Sequence, residues 1–368
     1  MPGVHTYIIS TVGTSLLTNR ADDDTLKLLR RTANYSQQRF PQDEFDRVVH
    51  RADDTARNLM EATDDQVRAM SAELNGILKM DAVGSDCSHY LLHTDTYQGE
   101  RAASAAAQYL RSRDCRLVVT CRMDSLTTDS QEAFTKGIDN LLRWCDQTLP
   151  ALRQQSAQVV FNLSGSFKSL QAYAQTIGMI YADELWYVFE NRDSPVIRIP
   201  RLPLKMDDAP LRENAATFAR LAEGQIIEAG NLPSVPEAYV ERDGDHVTLS
   251  PWGLLTWNSC KRSILAARLA DQPGLRFNSS FEADWNKCRD DGMRVDLQET
   301  LARVAMLWQS HGLQGLRADG GLQYSNMVGH SGVGHFRLTQ GWRVSCSPEG
   351  NDLLLRHFGL HDYVNDNP

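Results

Sequence analysis

The chain has 368 residues, of which 42% are hydrophobic and 23% are charged, so it is long enough for two domains with substantial cores. The net charge of −9 argues against broad, sequence-independent affinity for naked nucleic acid, which needs a basic surface. No apolar run is long enough to span a bilayer, no secretory signal opens the sequence, and none of the seven cysteines forms a CxxC pair. These features predict a cytoplasmic protein with reduced thiols, without a membrane partner and without structural zinc.

Strand and helix patterns alternate along the first 200 residues. Strands are predicted at 6–11, 89–94, 116–120, 157–163, 184–189 and 195–199. Helices are predicted at 24–35, 43–60, 65–80, 99–111, 129–149 and 167–180, with N-caps at Asp22, Thr63 and Thr128. This alternation predicts an α/β domain with a mainly parallel sheet, helices on both faces and ligands at the carboxyl ends of the strands.

A proline-rich segment follows and forms the predicted connector, residues 201–270. It contains a helical pattern at 211–222 and a short hairpin, 238–241 with 246–249, that turns at Asp243-Gly244. Pro251 then stands at the first position of a helix that reaches residue 269. The pattern fits a small winged-helix-like module or a packing spacer, and the sequence leaves both open.

The pattern changes again in the third predicted domain, residues 271–368. A short strand at 275–278 precedes a helix capped by Ser279 or Ser280, and a second helix is predicted at 296–310. Alternating apolar residues in the tail predict the remaining strands. A strand, two helices and an antiparallel sheet in fewer than 100 residues predict a compact α+β domain.

Two loops rich in glycine and hydroxyl groups follow strands of the first domain. One reads Thr11-Val12-Gly13-Thr14-Ser15, and the other covers residues 162–168, with the sequence Asn-Leu-Ser-Gly-Ser-Phe-Lys. Backbone amides and hydroxyls at such positions bind phosphate oxygens, although ordinary tight turns have the same composition. Neither loop contains the Gly-Lys-Ser/Thr of a Walker A motif, which argues against hydrolysis of nucleoside triphosphates.

With the segment Gly-Met-Ile-Tyr-Ala at 178–182, these loops resemble the CARF domain, a Rossmann-like sensor of cyclic oligoadenylates associated with CRISPR. The resemblance covers about residues 1–200. It implies a ligand pocket lined by Gly13, Thr14, Ser15, Asn162, Ser164, Gly165, Ser166 and Lys168. It also implies a two-fold homodimer around a cyclic ligand, and slow cleavage of that ligand with Ser15 and Lys168 as the candidate residues.

The tail gathers arginine, histidine and tyrosine in residues 334–346 and 353–363. Arginine donates two hydrogen bonds to a phosphorane, and histidine transfers protons near neutral pH, so the composition suits cleavage of RNA through its own 2′-hydroxyl. His335, Arg337 and Arg343 share parity and so one strand face, as do His357, His361 and Tyr363. The alternative is that these are ordinary solvent-exposed polar side chains on one face of a sheet. The spacing predicts no metal site.

The tail and the helices before it resemble the RelE/YoeB-type toxins, which cut messenger RNA on the ribosome. The resemblance implies phosphate-binding arginines at Arg337 and Arg343, a general acid at His361 and a base-stacking tyrosine at Tyr363; His335 joins them by parity. One departure is the charge, since residues 271–368 contain nine Lys and Arg against twelve Asp and Glu, whereas these toxins are basic.

Together the two resemblances point to the CRISPR-associated CARF–RelE mRNA interferases of type III systems. They imply a homodimeric, metal-independent endoribonuclease without a cofactor, activated by a cyclic oligoadenylate such as cyclic tetra-adenylate and acting on ribosome-bound mRNA. Two alternatives remain. The spacing of Arg356 and His361 matches the R-x4-H motif of HEPN ribonucleases, and residues 233–270 could form the DNA-binding part of a transcription regulator.

Overall fold

The computed structural model describes residues 5–153, 157–165, 168–188, 195–203 and 206–368. The chain divides into two compact units, Met1–Lys205 and Met206–Pro368, so the predicted connector, from residue 206 onward, belongs to the second unit. No helix in the described part of the chain is long and apolar enough to cross a membrane.

A six-stranded sheet forms the centre of the first unit. Its strands are β1 (Thr6–Val12), β2 (Cys87–Thr94), β3 (Leu117–Met123), β4 (Gln158–Asn162), β5 (Glu184–Val188) and β6 (Val196–Pro200). The order is β3-β2-β1-β4-β5-β6, in which β6 is antiparallel to β5 and the other neighbours are parallel. The helices are α1 (Ser15–Thr18), α2 (Asp23–Arg31), α3 (Gln42–Glu61), α4 (Asp64–Met70), α5 (Ala72–Lys79), α6 (Tyr97–Ser112), α7 (Gln131–Arg153) and α8 (Lys168–Tyr181).

Both faces of this sheet are covered at its centre, which confirms the predicted α/β arrangement with a mainly parallel sheet. Neighbouring residues point to opposite faces of a strand, and Ile8 and Ile9 are 0% and 1% exposed. The strand order reverses between β1 and β4, and an open α/β sheet forms a crevice at such a switch point. The two glycine-and-hydroxyl loops follow these two strands.

Two local predictions in this unit were wrong. The single helix predicted at 65–80 is two helices, because Ser71 is extended (φ −136°, ψ 128°) and its side chain accepts a hydrogen bond from the Leu74 amide. Thr128 is not an N-cap, since α7 begins at Gln131 and the Ser130 hydroxyl accepts from the Ala133 amide. The predicted caps at Asp22 and Thr63 are confirmed by their side-chain bonds to amides of α2 and α4.

The second unit begins with α9 (Ala209–Glu213), α10 (Ala215–Ala222), β7 (Ile227–Glu228), β8 (Val240–Asp243), β9 (His246–Leu249) and α11 (Pro251–Leu265). The strands form a small sheet in the order β7-β9-β8. Residues 229–239, which are all described, contain only two short 3-10 turns, so no recognition helix lies between β7 and β8. The segment instead contributes to a hydrophobic cluster that contains Phe218 of α10, Trp257 of α11 and Val295.

A five-stranded sheet completes the second unit, in the order β10-β14-β13-β12-β11. Its elements are β10 (Leu275–Phe277), α12 (Ser279–Lys287), α13 (Asp291–Ala318), β11 (Ser325–Asn326), β12 (Gly334–Arg337), β13 (Trp342–Glu349), β14 (Asp352–Leu360) and α14 (His361–Asp366). All pairings are antiparallel except that of β10 with β14. Gly312 breaks α13 with a positive φ of 54°. One face of the sheet packs on the helices through Phe336, Val344 and Phe358.

Candidate functional site

The loops after β1 and β4 meet at the switch point of the parallel sheet. The Thr11 hydroxyl donates a hydrogen bond to the Gly165 carbonyl over 3.0 Å, although the two residues lie 154 positions apart. The carboxyl ends of these neighbouring strands therefore bring the two loops to one place, as the sequence predicts. We call residues 13–15 and 162–165 the switch-point cradle.

The Glu73 carboxylate from α5 occupies this cradle. It accepts a hydrogen bond from the Gly13 amide (2.7 Å), and its other oxygen accepts from the hydroxyls of Ser15 (3.0 Å) and Ser71 (2.7 Å). A Cβ atom on Gly165 would lie 2.1 Å from Glu73 Oε1, so glycine is required for this close approach. The amide and the hydroxyl predicted to bind phosphate thus already bind an anion of the protein itself.

The remaining predicted pocket residues differ in what they offer a ligand. Asn162 is fully buried, and its amide donates to Ser10 Oγ (3.2 Å) and to the Glu73 carbonyl (3.0 Å), so it fastens the loop. Ser164 has a buried hydroxyl that lacks a hydrogen-bond partner among the described residues. Thr14 lies half-buried between Gly13 and Ser15. Ser166 and the side chain of Lys168 lie outside the described residues.

On the C-terminal sheet, one face gathers the predicted catalytic side chains. His335 and Arg337 lie on β12, where Arg337 pairs directly with Arg343 of β13. The backbone amide of His361, the first residue of α14, donates to the Gly341 carbonyl over 2.9 Å. The rings of His335 and His361 have their centroids 6.3 Å apart. These four residues, His335, Arg337, Arg343 and His361, form what we call the cationic cluster.

The arginines of the cationic cluster are held by backbone carbonyls of the β12–β13 turn. Arg337 Nε donates to the Thr339 carbonyl over 3.2 Å, and Arg343 Nη1 donates to the same oxygen over 2.9 Å. Neither guanidinium forms an ion pair with a carboxylate of the described residues. Burial lowers the pKa of Arg343, and the charge of Arg337 lowers it further. Two adjacent, unneutralised cations in fixed positions favour an anionic ligand.

The two histidines of the cluster are in different environments. Burial lowers the pKa of His335, and the charges of Arg343 and His361 act in the same direction. Its Nε2 lies 2.8 Å from the Ser325 hydroxyl. His361 is half exposed, with its ring beside Asn365. His335 is therefore neutral to a lower pH than a free imidazole, as a general base requires, while His361 is accessible to a leaving group.

Asp284 is a further residue of this region that the sequence analysis missed. Its carboxylate, 8% exposed, accepts hydrogen bonds from His357 Nδ1 and from the Tyr363 hydroxyl, both over 2.9 Å. Burial raises the pKa of Tyr363 to about 12, with the Asp284 hydrogen bond and charge as further causes. The hydroxyl of Tyr363 is thus engaged, and its ring, which packs over Gly359, remains for contact with a ligand. The only sequence signal is an acidic residue on the apolar side of a helix, in Phe281-Glu-Ala-Asp-Trp285.

Two parity arguments for the tail were wrong. Arg337 and Arg343 do not share one strand; they lie on two strands joined by a turn, and antiparallel pairing puts them on the same face. His361 and Tyr363 do not continue the face of His357, because β14 ends at Leu360 and both residues belong to α14. The cluster therefore combines two strands with a helix start.

Within the described chain, no group of three or more His, Cys, Asp or Glu side chains is arranged to bind a metal ion.

A comparison with protein families gives independent information on the first unit. Residues 68–202 match the model of a family described as CRISPR-associated protein (Cas_APE2256). The match supports an association with CRISPR. It spans β2 to β6, and with them Glu73 and the loop after β4, but it covers less than half of the chain and none of the C-terminal sheet.

Proposed function

We propose that this protein is a ribonuclease of a CRISPR system, activated by a cyclic oligoadenylate and acting on messenger RNA at the ribosome. The convergence of two unneutralised arginines and two histidines on one sheet face carries the proposal. The CRISPR-associated family match and the switch-point cradle support the part that concerns activation.

Each member of the cationic cluster has a role in the proposed cleavage. A neutral His335 takes the proton of the ribose 2′-hydroxyl, which then attacks the adjacent phosphorus. Arg337 and Arg343 stabilise the charge of the phosphorane, and His361 gives a proton to the departing 5′-oxygen. The ring of Tyr363 stacks on a neighbouring base. The products are a 2′,3′-cyclic phosphate and a 5′-hydroxyl, and no metal takes part.

The activator is proposed to bind the first unit of each chain in a two-fold homodimer, with cyclic tetra-adenylate as the expected ligand. A phosphate that enters the switch-point cradle has to displace the Glu73 carboxylate, since the same amide and hydroxyl bind both. Slow cleavage of the activator by Ser15 and Lys168 stays a prediction. The Ser15 hydroxyl is already bonded to Glu73 and to the Ala72 amide.

The two alternative functions receive less support from the geometry. HEPN ribonucleases present their arginine and histidine on one long helix, whereas Arg356 lies on β14 with its Nε bonded to the Pro368 carbonyl. A winged-helix regulator needs an exposed recognition helix. Residues 229–239 do not form a helix of that kind, and α11, the helix within 233–270, is largely buried.

Cell-free translation with a labelled messenger tests the proposed function. We expect cleavage by the wild type only when cyclic tetra-adenylate is present, and a loss of at least about 100-fold for His361→Ala, the low end for a lost proton-transfer group. His246→Ala, which removes an exposed histidine on β9, is the matched control and should cleave normally. Equal cleavage by wild type and His361→Ala would remove the cationic cluster from the mechanism. Cleavage of ribosome-free RNA that survives Arg337→Ala would favour the HEPN alternative.

A further inference from the structure

A cavity of about 670 Å³ opens at the carboxyl ends of β2 and β3, in the first unit. Its walls come from three segments: the stretch before α3 and its first turn, with Gln37, Gln38 and Phe40; the start of α6, with Tyr97; and Arg122 near the end of β3. The cavity lies outside the switch-point cradle and has no role in the mechanism above.

The strand register fixes the position of this cavity relative to the cradle. Val12 of β1 pairs with His93 of β2, and His93 pairs with Arg122 of β3. Neighbouring strands lie about 4.8 Å apart, so Arg122 is about 10 Å from the strand that leads into the cradle. The cavity and the cradle therefore open at the same edge of the sheet, at the ends of neighbouring strands.

Three aromatic rings form one wall of the cavity. The centroid of Tyr97 lies 5.0 Å from that of Phe45 and 5.9 Å from that of Phe40, and the two phenylalanines are 5.7 Å apart. All three rings are only partly buried, so they pack on one another and still offer surface to the cavity. Such a wall suits a flat aromatic ligand, because bases stack on aromatic side chains.

The polar groups of the cavity determine which flat ligand fits. Asp95 and Glu100 contribute carboxylates against the single cation of Arg122, so the lining disfavours a phosphate and favours a donor of hydrogen bonds. Asp95 Oδ2 accepts from the Ser125 amide over 3.0 Å, while Oδ1 forms an ion pair with Arg122 Nε over 3.6 Å, a separation too long for a hydrogen bond. Oδ1 therefore still has lone pairs with which to accept a hydrogen bond from an exocyclic amine.

We propose that this cavity is a binding site for an adenine base of the activator. The base stacks on Tyr97, its exocyclic amine donates to Asp95, and the attached phosphate lies toward the switch-point cradle. This inference rests on the proposed function, since it assigns a base site to the same cyclic nucleotide.

Calorimetric titration of the full chain with cyclic tetra-adenylate tests the stacking contact. We expect Tyr97→Leu to bind about tenfold more weakly, as one lost base–aromatic stack implies, and Tyr97→Phe to bind like the wild type. Asn58→Ala is the matched control, because it alters a second cavity of about 410 Å³ away from these strand ends and should leave affinity unchanged.

A second titration, with cyclic tetra-inosinate, tests the donor contact. Inosine replaces the exocyclic amine by a carbonyl oxygen, which Asp95 repels, so the wild type should prefer the adenine ligand and Asp95→Asn should lose most of that preference. If Tyr97→Leu is too unstable to titrate, this comparison of the two ligands still tests the base site. No binding of cyclic tetra-adenylate by the wild type would overturn the proposed function and this inference together. Normal binding by the wild type, Tyr97→Leu and Asp95→Asn alike would overturn only the base site.

Discussion

Asp284 binds two side chains of the C-terminal segment at once and so decides how Tyr363 is presented. Its carboxylate accepts from the Tyr363 hydroxyl and raises the pKa of that group. We expect Asp284→Asn to lower the pKa of Tyr363 from about 12 toward the ordinary value near 10, because the negative charge is lost and only part of the burial remains. Titration of ¹³C-labelled tyrosine rings by NMR measures this.

Tyr324 is the internal control for that titration. Burial is the first cause that raises its pKa to about 12, and Asp284 is not among the causes, so its titration should not change. A pKa of Tyr363 that stays near 12 in Asp284→Asn would show that burial alone sets it.

In the proposed cleavage, Asp284→Asn should lower the rate about tenfold, while Tyr363→Leu should lower it further because the stacking ring is gone.

The coupling between Arg343 and His335 gives a second prediction for single residues. The folded protein lowers the pKa of His335, so the imidazole stays neutral to a lower pH than in the unfolded chain. Arg343→Gln removes one of the charges responsible, and we expect the pKa of His335 to rise toward 6.5. Histidine NMR titration measures this without relying on activity. Arg356→Gln is the control and should leave the pKa of His335 unchanged. It alters an arginine of β14 that donates to the Pro368 carbonyl.

The residue types of the cationic cluster could be predicted from the sequence, but their arrangement could not. Arg337 and Arg343 stand in one short stretch of sequence. The turn between them is closed by a hydrogen bond from the Leu338 amide to the Trp342 carbonyl, and Gly341 is its only sequence signal. The end of β14 has no signal at all, since Leu360 precedes α14 without a side-chain cap. Asp284 lies 73 residues before its partner His357. Only the folded chain brings them together.

At the level of elements, the sequence predicts all six strands of the first sheet to within about three residues. The inner strands β1, β2 and β4 and the neighbouring β5 are mostly buried, and apolar runs bounded by turn residues are typical of such strands, whereas the edge strands β3 and β6 are more exposed. The break between α4 and α5 was missed because apolar residues recur at helical spacing on both sides of Ser71. That break has a consequence for the site. At the start of α5, Glu73 accepts from Gly13 and Ser15 of the switch-point cradle, and the Ser71 hydroxyl donates to Glu73.

The start of α5 closes the cradle, and this gives a prediction for ligand binding. Glu73→Gln keeps an acceptor for the Gly13 amide but removes the charge that opposes an incoming phosphate. We expect the variant to bind cyclic tetra-adenylate about tenfold more tightly, equivalent to about 1.4 kcal/mol. Glu132→Gln, at an exposed position of α7, is the matched control. Weaker binding by Glu73→Gln would show that the carboxylate supports the site instead of competing with the ligand.

The whole molecule carries a net charge of −9, and the C-terminal segment 271–368 is itself acidic. The cationic cluster is therefore a small positive site in a negative protein. Since bulk attraction to RNA is weak, recognition has to come from the few groups that contact the scissile phosphate and from the ribosome that presents it. A protein of this charge should leave most free RNA uncut.

The salt dependence of RNA binding tests this view of the charge distribution. For single strands, the logarithm of the association constant falls with the logarithm of salt concentration by about 0.7 for each phosphate neutralised, so two arginines give a slope of about −1.4. We expect this shallow slope for a non-cleavable, 2′-deoxy-substituted oligonucleotide, measured by fluorescence anisotropy at neutral pH, and a reduction by about 0.7 in Arg337→Gln. Arg242→Gln, on the small sheet of the second unit, should not change the slope, since that guanidinium is already paired with Glu237. A slope of about −4 or steeper would require an extended basic surface on an assembly of these chains, and binding would then not centre on the cationic cluster.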